Sequence, residues 1–577
     1  MEYKQETKAH STSSVQVCQN CKKDFTIEPD DFNFYQKMQV PPPSWCPKCR
    51  LERRLSFINN WHLYWRNCNK CGKKTLSMFS PEQDIIVYCS PCWWSDSWDG
   101  TECGVSYDPS RSFWEQMKEL SDRTPFMAID FDYVTVKNSE YTNGIGWSKD
   151  CYMTFWADYC ESVYYSSILN GLKWSMDCLR GFKSELCYSS TGFSRCYKMF
   201  FSEECDDCVD VWFSRNCYGC TNCVGCANLR GASYYIFNEK YSREEYETKL
   251  KELKLDSWKN LKELGKKAHE FWLTKPYREY NGHSLNFNVT GEHVYTSKNS
   301  KEVYLVNGAE DCKWTQFITV PPVKDCMDCS GWGNNTEKVY ESLGIGENSS
   351  AIMFSATCWA DSLNLQYCRY NISGKNNFGC VNLKRKSYCI LNKEYSKEEY
   401  KKLKIKIIED MKKNPYIDKL GRKYYYGEFF PLEFSYFHYN KSNAMRFCPK
   451  TREEALAEGY SWYDKEDIIY DTTINADSLP DKINDTKEEI LREVIKCREC
   501  GNGYRITKGE FDLLCKMNLP LPHECSKCRE NKRFARMTKP YMYHRTCMKC
   551  GANIYTPYST DRPEIIYCVK CYQVEFL

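Results

Sequence analysis

The residues best placed to do chemistry are cysteines in CxxC pairs. Four pairs lie near the N-terminus: Cys18/Cys21, Cys46/Cys49, Cys68/Cys71 and Cys89/Cys92. Four lie near the C-terminus: Cys497/Cys500, Cys525/Cys528, Cys547/Cys550 and Cys568/Cys571. Adding 479 to every member of the first set gives the second. A CxxC knuckle points two sulfurs at one ion, and two knuckles complete a tetrahedral four-cysteine site. Four thiolates leave no open position, so such a site is structural and not catalytic. The pattern predicts four Zn2+ per chain, each supplying folding energy to a segment too small to fold alone. Sequential pairing is simplest, with Cys18, Cys21, Cys46 and Cys49 on one ion and Cys68, Cys71, Cys89 and Cys92 on the next. The spacing also allows a cross-braced arrangement. Scattered buried thiols are the rival reading, and two registered copies argue against it.

The copies share more than cysteine. Pro41, Pro43, Arg50, Arg54, Tyr64, Arg66, Gly72, Ser80, Ile86 and Tyr88 recur as Pro520, Pro522, Arg529, Arg533, Tyr543, Arg545, Gly551, Ser559, Ile565 and Tyr567. Gly72 and Gly551 follow a knuckle directly, where positive φ is often required. Arg50, Arg54, Tyr64 and Arg66, with Arg529, Arg533, Tyr543 and Arg545, form a candidate basic and aromatic face for nucleic acid. The same residues could equally pack as buried stems and core aromatics.

A second cysteine run, Cys217, Cys220, Cys223 and Cys226, approaches the spacing of an iron–sulfur ligand set. It lacks the C-x3-C-P ending of ferredoxin-like runs, so core packing competes with an extra metal or cluster. Glu204, Asp206, Asp207 and Asp210 form an acidic run that is either a solvated edge or a carboxylate pair of a glycosidase type. The chain has no P-loop, no HExxH, no GxSxG and no GxGxxG after a strand. None of its 8 histidines stands in a ligand or catalytic spacing.

These groups must be positioned by 577 residues, enough for three to five domains. Hydrophobic residues are 42% and charged residues 27%, as in soluble globular proteins. No apolar run is long enough to span a bilayer. The polar N-terminus lacks a signal-peptide core, so 37 cysteines predict metal ligands and buried thiols in a reducing, cytoplasmic setting, or a virion if the source is viral. Residues 1–74 carry 13 Lys/Arg against 7 Asp/Glu, and residues 496–577 carry 15 against 8. Basic ends on an acidic body point to phosphate contacts at the ends. Solubility of small zinc modules accounts for the same bias.

Residues 1–17 read as a disordered leader, 18–92 as a double zinc module and 93–150 as a Trp-rich connector. Trp93, Trp94 and Trp98 are expected to dock the module on the body, and a helix is expected near 111–121. From Cys151 the chain falls into nines, with Cys151, Cys160, Leu169, Cys178, Cys187, Cys196, Cys205, Ser214 and Cys223 in one column. That register predicts a calcium-free β-solenoid over 151–241, with about 18 residues per coil. Its ending returns 154 residues later: Cys226, Asn228, Leu229, Ser233, Tyr234, Ile236, Asn238 and Tyr241 match Cys380, Asn382, Leu383, Ser387, Tyr388, Ile390, Asn392 and Tyr395. A second, less regular block is therefore expected over 287–395. Capping boxes Ser242–Glu245 and Ser396–Glu399 begin capping helices over 242–275 and 396–413. An aromatic connector with short helices follows over 414–496, including a helix over 485–496. The second double zinc module covers 497–571.

The stretch CQNCKKDFTIEPDDFNFYQKMQVPPPSWCPKCR resembles the probable zinc-ribbon domain, and RTCMKCGANIYTPYSTDRPEIIYCVKCYQ resembles small bacterial CxxC-x17-CxxC modules. The layout is similar to large multi-zinc-ribbon proteins of small-genome bacteria and large DNA viruses. The resemblance covers the two ends and implies metal-bound modules there, with no activity attached.

The fold expected is mainly β with α: duplicated zinc-ribbon or treble-clef modules at both ends of two β-solenoid-like blocks, each capped by a helix. The function expected is a non-enzymatic zinc scaffold binding nucleic acid, RNA slightly favoured, through its ends. The alternatives are a protein–protein assembly module using the solenoid faces, and a solenoid enzyme. No membrane partner is expected.

Overall fold

A computed structural model describes residues 12–282, 285–333, 339–346, 348–359, 361–465 and 468–576. Most of the expected leader, together with His10 and His283, lies outside the described residues. The fold is mixed α/β, with many short strands and, among the described residues, 12 α-helices. It divides into two compact units, and neither is a continuous stretch of chain. One comprises Met1–Ile129, Gly282–Tyr463 and Lys539–Tyr541. The other comprises Asp130–Asn281, Asp464–Thr538 and Met542–Leu577. The N-terminal cysteine module therefore shares a unit with the second repeat block, and the C-terminal module shares one with the first.

In the first block, four-residue strands pair in parallel with partners 12 residues on. One ladder runs through Phe155, Ser167, Leu179, Thr191 and Glu203, and another through Tyr197, Val209, Thr221 and Ser233. A circuit of the chain thus takes 12 residues, not the 18 expected from the cysteine column. The true period is three. From Asn138 to Phe237 every third residue has positive φ, including non-glycines such as Trp147, Asp177 and Phe213. From Cys151 to Cys226 every third residue is buried. The left-handed residue turns a corner, and the inward residue fills the centre. The nine-residue cysteine spacing is three of these steps.

The inward positions explain the taste for cysteine and serine. Ser166 Oγ donates to the Tyr164 carbonyl at 2.7 Å and accepts from the Cys178 N–H at 2.9 Å. Ser184 and Ser214 repeat the pattern, accepting from Cys196 at 2.9 Å and from Cys226 at 3.0 Å. Cys178 and Cys205 likewise donate to the carbonyls of Met176 and Glu203, at 3.4 and 3.3 Å. Most inward side chains are small, and the cysteines and serines among them carry a weak or strong donor for the carbonyl two residues back, while Leu169, Leu172, Phe193 and Met199 fill the same register with larger apolar groups. Burial pushes the Cys151 thiol up to about 11 and the Cys178 thiol up to about 12, so these groups stay protonated.

The second block repeats the plan with steps of 12 to 14 residues, from Gly291↔Val303 through Gln316↔Ser330 and Leu343↔Ala356 to Phe378↔Ile390. Both blocks end alike. Asn392 Oδ1 accepts from the Val381 N–H and its Nδ2 donates to the Val381 carbonyl, each at 2.8 Å. Asn238 does the same for Ala227, at 2.9 and 2.8 Å. The side-chain amide stands where the next circuit's backbone would be, and closes the ladder. A helix then covers each end, Arg243–Leu253 or Lys397–Lys413, each opened by its Ser–Glu capping box.

Three expectations need correction. The segment 242–275 holds two helices, Arg243–Leu253 and Trp258–Leu273, broken at Lys254 in a left-handed conformation. The helix expected over 485–496 is two 3-10 turns, Ile483–Asp485 and Glu488–Arg492, and a strand, Ile495–Lys496. Ser14–Val17, part of the expected leader, is a strand paired with Asp24–Ile27. The helix near 111–121 is present as Phe113–Arg123. Trp93 and Trp98 are buried, and Trp94 packs on Trp359 of the second block.

Candidate metal centres and their anchorage

Each four-cysteine group is built from two knuckles. The first knuckle ends a hairpin loop, and the second opens a helix. In the first group Cys46 N–H donates to Cys18 Sγ at 3.3 Å, and Cys46 caps the helix Pro47–Leu55. The other groups repeat this bond: Cys89 to Cys68 at 3.2 Å, Cys525 to Cys497 at 3.3 Å and Cys568 to Cys547 at 3.2 Å. Against the upward push of burial, N–H groups of Cys71, Cys89 and Lys70 bring the Cys68 thiol down to about 6. Cys547 falls to about 6 and Cys497 to about 7 in the same way. Backbone donors in the knuckle turn and at the helix start favour thiolate, the form a metal binds.

The ligand atoms of each group lie within 4.8 Å of one another, in sequential pairing: Cys18, Cys21, Cys46 and Cys49; Cys68, Cys71, Cys89 and Cys92; Cys497, Cys500, Cys525 and Cys528; Cys547, Cys550, Cys568 and Cys571. Sulfurs on opposite knuckles stand 3.8 Å apart in three groups and 3.9 Å in the fourth. A tetrahedron with metal–sulfur bonds of about 2.3 Å has an edge of about 3.8 Å. All 37 cysteines are free of disulfides. The four groups can therefore each hold a metal ion.

The run Cys217, Cys220, Cys223 and Cys226 is not such a group among the described residues. Its members are four successive inward residues, and each sulfur donates to the carbonyl two residues back at 3.4 to 3.6 Å. They fill the centre of one circuit. The acidic run is dispersed in role. Glu204 pairs with Arg180, Asp207 holds both Nε and Nη2 of Arg195 at 2.5 and 2.7 Å, and Asp210 accepts from the Trp212 indole at 3.0 Å.

The basic and aromatic face is not where the sequence placed it. Arg50 and Arg54 are fully buried, and both pair with Asp328 of the second block, Arg54 through Nη1 at 3.4 Å. Arg53, between them, meets Glu341 at 2.8 Å and Glu428 at 3.3 Å. In the other unit, Arg529 Nε lies 2.7 Å from Asp177 Oδ2, and Arg533 Nη1 lies 2.8 Å from Asp177 Oδ1. Arg529 also reaches Glu510 at 3.1 Å. Burial raises the Glu510 carboxyl even though Arg529 pulls it down. Arg66 and Arg545 staple their own loops, donating to the carbonyls of Ser80 and Ser559 at 2.9 and 3.0 Å. Tyr64 packs on Tyr463, and Tyr543 is exposed. So Arg50, Arg54, Arg529 and Arg533 fasten modules to blocks, while Arg66 and Arg545, half-buried, brace the modules themselves.

Sequence reasoning missed the acids that receive them. A signal existed: Met176-Asp177-Cys178 and Met327-Asp328-Cys329 are the same tripeptide, and both aspartates sit at left-handed corners. No helix among the described residues is long and apolar enough to cross a membrane. No protein-family model matches the chain, and a comparison with curated proteins finds no match either.

Proposed function

We propose that the protein is a non-enzymatic zinc scaffold: two β-solenoid blocks, each gripped by a double zinc module, presenting the modules' hairpins to single-stranded nucleic acid, with RNA preferred. The observation that carries the zinc assignment is the repeated 3.8 Å sulfur spacing across knuckles, which suits zinc bound to four thiolates. With the arginines committed inside, the binding surface moves to the hairpin Tyr64–Asn67 and Lys74–Ser77. There Trp65 is 49% exposed and Lys74 Nζ lies 5.0 Å from its ring centre. A flat ring beside a cation suits a stacked base and its phosphate. In the second copy the equivalents of Trp65 and Lys74 are His544 and Asn553, on the hairpin Tyr543–Thr546 and Asn553–Thr556, with the exposed Tyr543 beside them.

Native mass spectrometry with metal analysis tests the scaffold: four zinc ions per chain support it, and two or fewer overturn it. Binding of a single-stranded RNA that weakens at least tenfold in Trp65→Ala with Lys74→Glu, and falls with salt, supports the strand surface. Equal binding by that variant removes it.

A second reading rests on the first block. Trp147 and Tyr159, one circuit apart, stack at 5.3 Å and are 45% and 48% exposed. Such a rigid aromatic pair suits a protein partner. Salt-insensitive association lost in Trp147→Ala would favour assembly over strand binding.

A further inference from the structure

The two cysteine modules are copies, so their surroundings can be compared residue by residue. In the first copy the knuckle face around Ser44 is filled by the chain. Glu428 Oε1 accepts from the Ser44 N–H at 2.9 Å and from its hydroxyl. The other carboxylate oxygen meets Arg53 at 3.3 Å. An anion therefore sits between position 44 and position 53. In the second copy those positions are His523 and Lys532. Among the described residues no counterpart of Glu428 meets the His523 N–H, Lys532 is held by Glu499 and Glu524, and His523 and Lys532 both line an open cavity of about 750 Å³.

The walls of this cavity carry unanswered polarity. His523 is buried, and both of its ring nitrogens lack a partner, as does Nε1 of the buried Trp272. The His523 N–H, equivalent to the N–H that binds Glu428, has no partner among the described residues. Buried polar groups without partners are rare and point to something that completes them. Flat surfaces are present too. Trp258 stacks on His523 at 3.8 Å, and Phe201 stacks on Phe213 at 4.7 Å. Gly265 lets Phe213 lie close against the cavity wall, since a Cβ there would come 3.1 Å from its ring. Charge at the rim is mostly positive. Lys262 and Arg498 lie 5.3 and 5.1 Å from the Trp258 ring centre. Arg498 has only a loose pairing with Asp477 at 3.6 Å, whereas Arg536 meets Glu203 at 3.0 Å. The acids that line the cavity, Glu499 and Glu524, are held by Lys532 at 2.8 and 2.7 Å.

We propose that this cavity binds a nucleoside monophosphate group, its phosphate between the His523 N–H and the cations Lys262 and Arg498, and its base against the aromatic wall. The base supplies the acceptor that Trp272 Nε1 needs and the donor and acceptor that suit the His523 ring. The volume is ample for one nucleotide. An acidic peptide, the occupant in the first copy, fits the second less well. There Trp45, Arg53 and Phe57, which pack beneath the strap, are replaced by Glu524, Lys532 and Arg536, residues suited to solvent and ions. The site stands on the cavity and the comparison of copies. It does not require the hairpin surface proposed above.

Calorimetry on the full-length, zinc-loaded protein tests it with AMP, adenosine, inorganic phosphate, a 5′-phosphorylated RNA pentamer and the same pentamer without its phosphate. AMP should bind at least tenfold more tightly than adenosine or phosphate alone. Gly265→Leu, which fills the cavity, and Lys262→Glu, which reverses its free rim charge, should each weaken AMP at least tenfold while zinc content and Tm stay near those of the parent. Tighter binding of the phosphorylated than the unphosphorylated pentamer assigns the site to a strand end; tighter AMP binding than either assigns it to free nucleotide. No AMP binding at millimolar concentration, AMP binding unchanged in both variants, or tighter binding of a peptide spanning residues 424–437 overturns the proposal. The Trp65 and Lys74 double variant should leave AMP binding unchanged, which separates this site from the strand surface.

Discussion

Arg529 and Asp177 form an ion pair at 2.7 Å, with Asp177 wholly buried and Arg529 nearly so. Asp177 holds Arg533 with its other oxygen. One carboxylate thus joins the helix that carries Cys525 and Cys528 to a corner of the first block. Asp328 plays the same part for Arg50 and Arg54. Removing one member of a buried pair leaves a charge with neither water nor partner, at a cost of roughly 3–5 kcal/mol. Asp177→Asn should therefore destabilise the unit by that order in denaturant titration at saturating zinc. Asp177→Asn with Arg529→Met, Arg533→Met and Glu510→Gln should recover much of the loss, because Glu510, the other acid on Arg529, is neutralised too and no unpaired charge remains. Equal loss in the single and quadruple variants would mean that the aspartate acts through packing alone.

The terminal asparagines invite a similar test. Asn392 answers both polar groups of Val381 and also donates to the Gly100 carbonyl at 2.9 Å. Asn392→Ala leaves these buried backbone groups unpaired, so stability should drop by about 1–3 kcal/mol. Asn392→Asp should do no better, since a carboxylate cannot donate to the Val381 carbonyl. Hydrogen exchange at the Val381 N–H should quicken in both variants before exchange elsewhere in the block.

Much of the candidate site was legible because CxxC spacing states its geometry directly: the ligands and their number follow from residue order, whereas the choice of sequential over cross-braced pairing and the helix start at each second knuckle came from the fold. The repeat blocks were half legible. Cysteines at every ninth position, such as Cys178, Cys187 and Cys196, are large enough in number to show a register. The residues between them, from Ser175 and Gly181 to Leu172, Phe193 and Met199, hid its true period of three, because the centre accepts both small and larger apolar side chains. Left-handed corners hid it further: the side chain there points outward, so Trp147, Lys183 and Asp207 all serve. The partnership of each module with the sequence-distant block was not legible at all. It rests on buried acids at those corners, Asp177 in one block and Asp328 with Glu341 in the other, and a charged residue in sequence reads first as solvent-facing. The arginine face failed for the same reason.

Lys22 gives a prediction of opposite sign. The residue after a knuckle is Gly72, Gly501 or Gly551 in three groups, with φ of 73° or 74°. Lys22 holds the same left-handed conformation, φ 59°, in the fourth. A side chain there strains against the following carbonyl by roughly 1 kcal/mol, whereas glycine does not. The Lys22 ammonium bonds the Gln19 carbonyl at 2.7 Å in an exposed setting, a contact of small worth. Lys22→Gly should raise stability by about 0.5–1 kcal/mol and slow zinc loss to a chelator. A fall in stability would show that the lysine contact outweighs the strain.

Asp130 sets a pH dependence. It is buried, and burial alone pushes its carboxyl up to about 7. An unfolded aspartate titrates near 3.9. Between those values the folded state binds more protons than the unfolded state, so this residue's contribution makes stability rise as pH falls from 7 towards 4. Above pH 7 the cost of the buried charge is fully present, on the order of 4 kcal/mol from the size of the shift. Asp130→Asn removes that cost without changing shape. Its gain over the parent in denaturant titration should be about 1 kcal/mol larger at pH 8 than at pH 6, where the folded aspartate is mostly protonated. Both conditions keep the four-cysteine groups loaded if zinc is in excess. A gain equal at the two pH values would mean that Asp130 does not titrate between them.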